Sequence, residues 1–346
     1  MPLSAPPSNL PGRTTRTLQL ALFATSLTWF VSSHIIAGRA AHGITRQFNL
    51  EPGRPLLSAL FLLFLLAVGF SLLNTIARQH GSLRAVLGLP QRPTARTEWA
   101  KGVALGWSMA IFAVLPLVLS GSLYVTLWAA PRAFWLLLLN LAAIAVATLA
   151  EEVAFRGYPF RRLIEAIGPV GATLLMSLIF SLAHAFNTDS SWANLLLTMF
   201  AGILLSVAWL RTHGLWLPWG IHFAWNASLG LLFGLPISGN TSFATVVFSR
   251  ANGPLWLTGG SFGPEAALFT SLVLLVAIII LIRITRDYAW HYTHTPIVPG
   301  GYPMDVAPPP AHTAMEQESA ARPPSLVQIL PTTPQTSSVI DEEPKP

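Results

Sequence analysis

The chain has 346 residues, of which 53% are hydrophobic and only 10% charged, and its formal net charge is +6. A soluble globular domain carries about 25% charged residues, so a surface facing water throughout is excluded, and bilayer-facing helices account for the deficit. The absence of cysteine excludes disulfides, thiol catalysis and cysteine-ligated metals; the basic residues fall in short connections between apolar runs, a pattern of topology determinants and not of a nucleic-acid surface.

Residues 1–16 form a polar N-terminal segment with no clear cleavage site after it, so the apolar run that follows reads as a first span and not as a removed signal peptide. A span needs about 20 apolar residues. Segments near that standard lie at roughly 18–37, 56–77, 100–127, 133–151, 169–186, 192–210, 215–235 and 266–284. The third contains Pro116, which predicts a kink or tilt. The expected fold is thus an all-α polytopic transmembrane helix bundle of about eight spans over 17–285. From 286 to 346 the chain turns rich in Pro, Ser and Thr and is expected to be a disordered tail, in which His291, His294 and His312 are incidental. Arg78, Arg84, Arg92, Arg96 and Lys101 share one side with Arg156, Arg161, Arg162 and Arg211, outweighing Arg39, Arg46, Arg54, Arg132 and Arg250 opposite. That bias predicts both termini on the cytoplasmic side of a multi-pass cell-membrane protein, and a bacterial inner membrane is the expected location.

Ionisable groups at membrane depth are expensive and mark function. Glu151 and Glu152 close the apolar run FWLLLLNLAAIAVATLA and point about 100° apart on a helix. Arg156 stands four residues after Glu152, where an ion pair forms readily. Glu151 then lacks a local charge partner, which suits a general base, although capping of the membrane boundary explains the pair equally well. His184 falls inside another apolar run with Phe180 one turn before it, and His222 and Asn226 share a face of a third. Singly, each of these reads as readily as helix-packing glue; together on successive apolar elements they are a constellation. An antiparallel pair turning at Gly168-Pro169 would bring Glu151 or Glu152 level with His184. His34, His42, His80 and His213 lie near span ends and need no special role, and HExxH, Walker A and a GxSxG or GxGxxG in suitable context are absent.

The series EEVAFR, FSLAH, HFAWN resembles the CAAX protease and bacteriocin-processing family of intramembrane proteases, also called type II CAAX endopeptidase or lysostaphin-resistance-protein-A-like. The family's signatures EExxxR, FxxxH and HxxxN or HxxxD all stand here in order, and the resemblance covers roughly 95–240. It implies peptide-bond hydrolysis within the membrane. By that resemblance Glu151 with His184 activates water, His222 and Asn226 stabilise the oxyanion, and Glu152, Arg156 and Phe180 support them. It also allows a divalent metal, zinc, on Glu151, His184 and His222 with an open position for water. A metal-free carboxylate mechanism is the preferred expectation, because no further carboxylate is evident in the sequence to orient either histidine. The implied partners are the lipid bilayer and a protein or peptide substrate, prenylated or otherwise membrane-bound, and no nucleic acid. Two other classes fit the same residues: a non-catalytic immunity or scaffold protein, and a transporter or channel with a proton-relay glutamate, against which the lack of an inverted repeat counts.

Overall fold

The computed structural model describes residues 15–79 and 81–285. The expected tail at 286–346 with His291, His294 and His312, nearly all of the N-terminal segment 1–16, and His80 lie outside the described residues. What is described is mostly helical: α1 (Arg16–Gln47), α2 (Arg54–Ile76), α3 (Leu83–Leu87), α4 (Ala95–Leu119), α5 (Pro131–Arg156), α6 (Tyr158–Ala183), α7 (Trp192–Thr212), α8 (Trp216–Ala227), α9 (Leu255–Thr258) and α10 (Leu268–Ile284).

Among the described residues, five helical runs are long and apolar enough to cross a membrane: Arg16–Gln47, Glu51–Ile76, Ala95–Leu119, Pro131–Phe186 and Trp192–Thr212. The expected eight segments map onto these runs unevenly. The fourth run contains both α5 and α6, which part at Gly157, and α6 is broken again at Gly168 (φ 80°), just before Pro169, whose missing N–H cannot continue a helical ladder. α10 is apolar but has 17 residues, and α8 has only 12 before a π-helical turn at Ser228–Leu232.

The expected third span does not reach 127, and the bundle is not purely helical. α4 stops three residues after Pro116, and Gly121 turns the chain at φ 68°. Leu123–Leu127 then forms β1, paired antiparallel with β2 (Val247–Ala251), Leu123 facing Ala251 and Leu127 facing Val247. An apolar run rich in β-branched and aromatic residues satisfies a strand as well as a helix, and the glycine decides which.

Two apolar clusters organise the helices. One joins α4, α7, α8 and α10 through Leu105, Val114, Leu204, Leu217, Ile221 and Leu274. The other joins α1, α2, α5 and α6 through Leu22, Phe70, Val153, Phe155, Met176 and Phe180. In α1 and α2, Trp29 donates its indole N–H to the Leu65 carbonyl at 2.9 Å.

α4 and α8 approach each other closely. A Cβ on Gly102 would come within 2.3 Å of the Leu217 carbonyl oxygen, one on Gly106 within 2.3 Å of that of Ile221, and one on Gly220 within 2.4 Å of that of Trp99. Gly102 and Gly106 form a GxxxG face, the small-residue device by which helices in lipid bring their backbones together. Its partner helix is the one that carries His222 and Asn226. Gly106→Ala is therefore expected to push α8 outward and lower the melting temperature in detergent. Gly38→Ala, whose added methyl meets nothing within 4 Å, is the matched control and leaves it near the parent value.

Candidate active site

The polar residues singled out in the sequence gather at the seam between the two apolar clusters. Glu151, Glu152 and Arg156 come from the last turns of α5, Phe180 and His184 from the end of α6, and His222 and Asn226 from α8. The helices α5 and α6 run in the expected register: the Phe155 and Phe180 rings meet edge-on at 5.1 Å, and the Arg156 guanidinium lies 4.2 Å from the Phe180 ring centroid.

Glu152 is the centre of the buried part. It and Arg156 are both 0% exposed. The Glu152 Oε1 atom accepts from an Arg156 guanidinium N–H at 3.2 Å and from His222 Nδ1–H at 2.8 Å. Arg156 also donates to the Gly202 carbonyl at 3.2 Å, at a point where α6 and α7 are so close that a Cβ on Gly202 would lie 3.0 Å from Ser177. A buried charge is tolerable only when paired and hydrogen-bonded, and this pair is both. Here the sequence-based expectation needs correcting. A carboxylate does orient His222, namely Glu152, from a helix 70 residues earlier. The sequence reading found the Glu152–Arg156 pair, but its spacing carries no sign of the third member.

Because Nδ1–H of His222 is held by Glu152, Nε2 is the nitrogen left for chemistry. It lies 3.7 Å from Oε2 of Glu151, whose side chain is 34% exposed and reaches the cavity. His184 is fixed in a parallel way. Its Nδ1–H donates to the Phe180 carbonyl at 2.8 Å, which again leaves Nε2. Phe180 packs its ring against both imidazoles, 4.6 Å from His184 and 6.2 Å from His222.

A cavity of about 740 Å³ opens at this seam. Glu151, His184, His222 and Asn226 all line it, together with Ile144, Leu197, Leu205 and Trp225. Part of its wall comes from two connections, Phe186–Thr188 after α6 and Ile237–Phe243 after the π-helical turn, and from Glu265. Neither the second connection nor Glu265 was singled out from the sequence. Among the described residues, no three His, Asp or Glu side chains come close enough to hold a metal ion. Glu151, His184 and His222 therefore do not fit a three-ligand cage as they stand, although fixing Nδ1–H on each histidine is how metal-binding imidazoles are prepared.

No curated protein and no solved structure matched the chain. Residues 131–228 match the family model described as type II CAAX prenyl endopeptidase Rce1-like. The match begins where α5 begins and takes in all three signatures, from Glu151 to Asn226, while leaving α1 to α4, the connection at 237–243 and Glu265 outside. Taken with the five long apolar helical runs, it supports a multi-pass membrane protein carrying a segment similar to a protease family. Residues 131–228 are thus similar to the CAAX membrane-protease family, the one that the order of EEVAFR, FSLAH and HFAWN resembles.

Proposed function

We propose that this chain is an intramembrane endopeptidase that hydrolyses peptide bonds of a membrane-associated protein or peptide. The observation that carries the reading is the pairing of an accessible carboxylate, Glu151, with the Nε2 side of an imidazole whose other nitrogen is locked by a buried carboxylate, all facing one cavity. Glu151 takes a proton from water as that water attacks the scissile carbonyl carbon, and His184 orients the same water through Nε2. The carbonyl oxygen gains negative charge, which Asn226 and His222 stabilise as hydrogen-bond donors. With Nδ1–H given to Glu152, His222 donates from Nε2 only as the imidazolium, and the carboxylates on both sides support that cation. The proton on Glu151 then passes to the leaving amine, closing the balance of one water consumed per bond cut.

The base in this reading is a carboxylate acting without a metal. The substrate is a chain already at the membrane, prenylated or otherwise anchored. On the distribution of Lys and Arg we place both termini on the cytoplasmic side of a bacterial inner membrane.

Reporter cleavage by purified protein in detergent tests the roles. Glu151→Gln and His184→Ala are expected to abolish turnover while keeping the parental melting temperature, and Asn226→Ala to lower kcat by about 10²–10³-fold. Wild-type cleavage by Glu151→Gln would sink the assignment, and melting lost in step with activity would point to a non-catalytic packing role. Chelation followed by dialysis is expected to leave activity intact; loss that zinc restores would move Glu151 from base to ligand. Glu152→Gln leaves Arg156 buried without its counter-charge and is expected to lose stability on the order of 3 kcal/mol. Pairing it with Arg156→Met should recover part of that loss, measured by a double-mutant cycle in denaturant titration.

A further inference from the structure

Glu265 lies in a single helical turn at Pro264–Ala266, well past the segment that matches the protease family. One of its oxygens, Oε1, accepts the Trp225 indole N–H at 2.7 Å. The other, Oε2, accepts the Ser238 hydroxyl at 2.7 Å and the Ser238 backbone N–H. Trp225 precedes Asn226 on α8 and Ser238 belongs to the connection 237–243, so one carboxylate joins the helix that carries two site residues to the strap forming the facing wall.

The strap is shaped for that position. Ser238 sits at φ 47°, a left-handed conformation that a non-glycine residue keeps only when its surroundings enforce it. Gly239 follows at φ 83°, and a Cβ there would lie 2.3 Å from the Thr188 carbonyl oxygen, so the strap presses against the connection just after His184. Gly239 donates its N–H to the Phe262 carbonyl at 2.9 Å, Ile237 and Asn240 exchange backbone bonds, and Asn140 of α5 donates to the Phe243 carbonyl at 3.1 Å. Of these anchors, Glu265 is the only one named that also bonds α8, and both of its bonds to the strap fall on the strained residue.

We propose that Glu265 is a positioning residue that sets the gap between the strap 237–243 and the face of α8, and thereby how tightly an extended substrate is held in the cavity. This rests on the protease reading of that cavity. Glu265 touches no reacting atom. Its loss loosens a wall that holds ground state and transition state alike, so it raises KM and leaves kcat near the parent value.

The chain has no cysteine, so Thr241→Cys places a single thiol on the strap, and its labelling by a maleimide reports strap position without requiring cleavage. Both readouts use the full chain in detergent. In that background Glu265→Gln is expected to speed labelling severalfold and to raise KM about tenfold with kcat within a factor of about two, the pattern of lost uniform binding. Unchanged labelling, or an unchanged KM beside unchanged kcat, would overturn the proposal. A fall in kcat with KM unchanged would also overturn it, by making Glu265 part of the reaction. Should Glu265→Gln fail to fold, Ser238→Ala removes one hydroxyl from the same carboxylate, and both readouts should move in the same direction by less. Labelling separates this outcome from failure of the protease reading, which Glu151→Gln tests by cleavage.

Discussion

A single carboxylate oxygen, Glu152 Oε1, accepts hydrogen bonds from an arginine on its own helix and from a histidine on another. The rest of the polar site is arranged around that sharing. Arg156 extends it to the Gly202 carbonyl on α7 and rests on the Phe180 ring of α6, so four helices meet at one ion pair with no exposure to solvent. In so apolar a setting an unmatched charge is intolerable, and the helices that supply the matching groups have little freedom to slide. The adjacent residue, Glu151, points elsewhere because neighbours on a helix diverge by about 100°. Two consecutive glutamates thus do different work, one buried and structural, the other reaching the cavity.

Most of the polar cluster was legible in the sequence because it depends on spacing within single helices. The pairs Glu152–Arg156, Phe180–His184 and His222–Asn226 each sit one turn apart, and the periodicity alone places each pair on one face. The register of α5 against α6 was legible as well, since Gly168-Pro169 is a strong break and a hairpin about it leaves little choice. The bond from His222 to Glu152 was not legible. It spans 70 residues and depends on how α8 docks, which no local pattern encodes.

That docking did leave a mark, in the Gly102–Gly106 face of α4, which a search for close helix contacts would have flagged. The strap and Glu265 left none. Their positions follow from hydrogen bonds between segments that are short, irregular and far apart in sequence, and a carboxylate in a loop reads as an ordinary surface charge until its donors are known. The span boundaries were less legible for a related reason: hydropathy marks apolar length, but Gly121 divides the third apolar segment into a helix and a strand, and α8 and α10 run to only 12 and 17 residues.

The two apolar clusters each keep their own helices together, while the site draws on both. On the protease reading, catalytic competence is consequently a property of their docking and not of either cluster alone. A detergent or lipid that lets them part by an ångström would silence the protein with its helix content intact. Circular dichroism would then report a folded molecule and turnover a dead one, so for this architecture activity is the more sensitive gauge of native assembly.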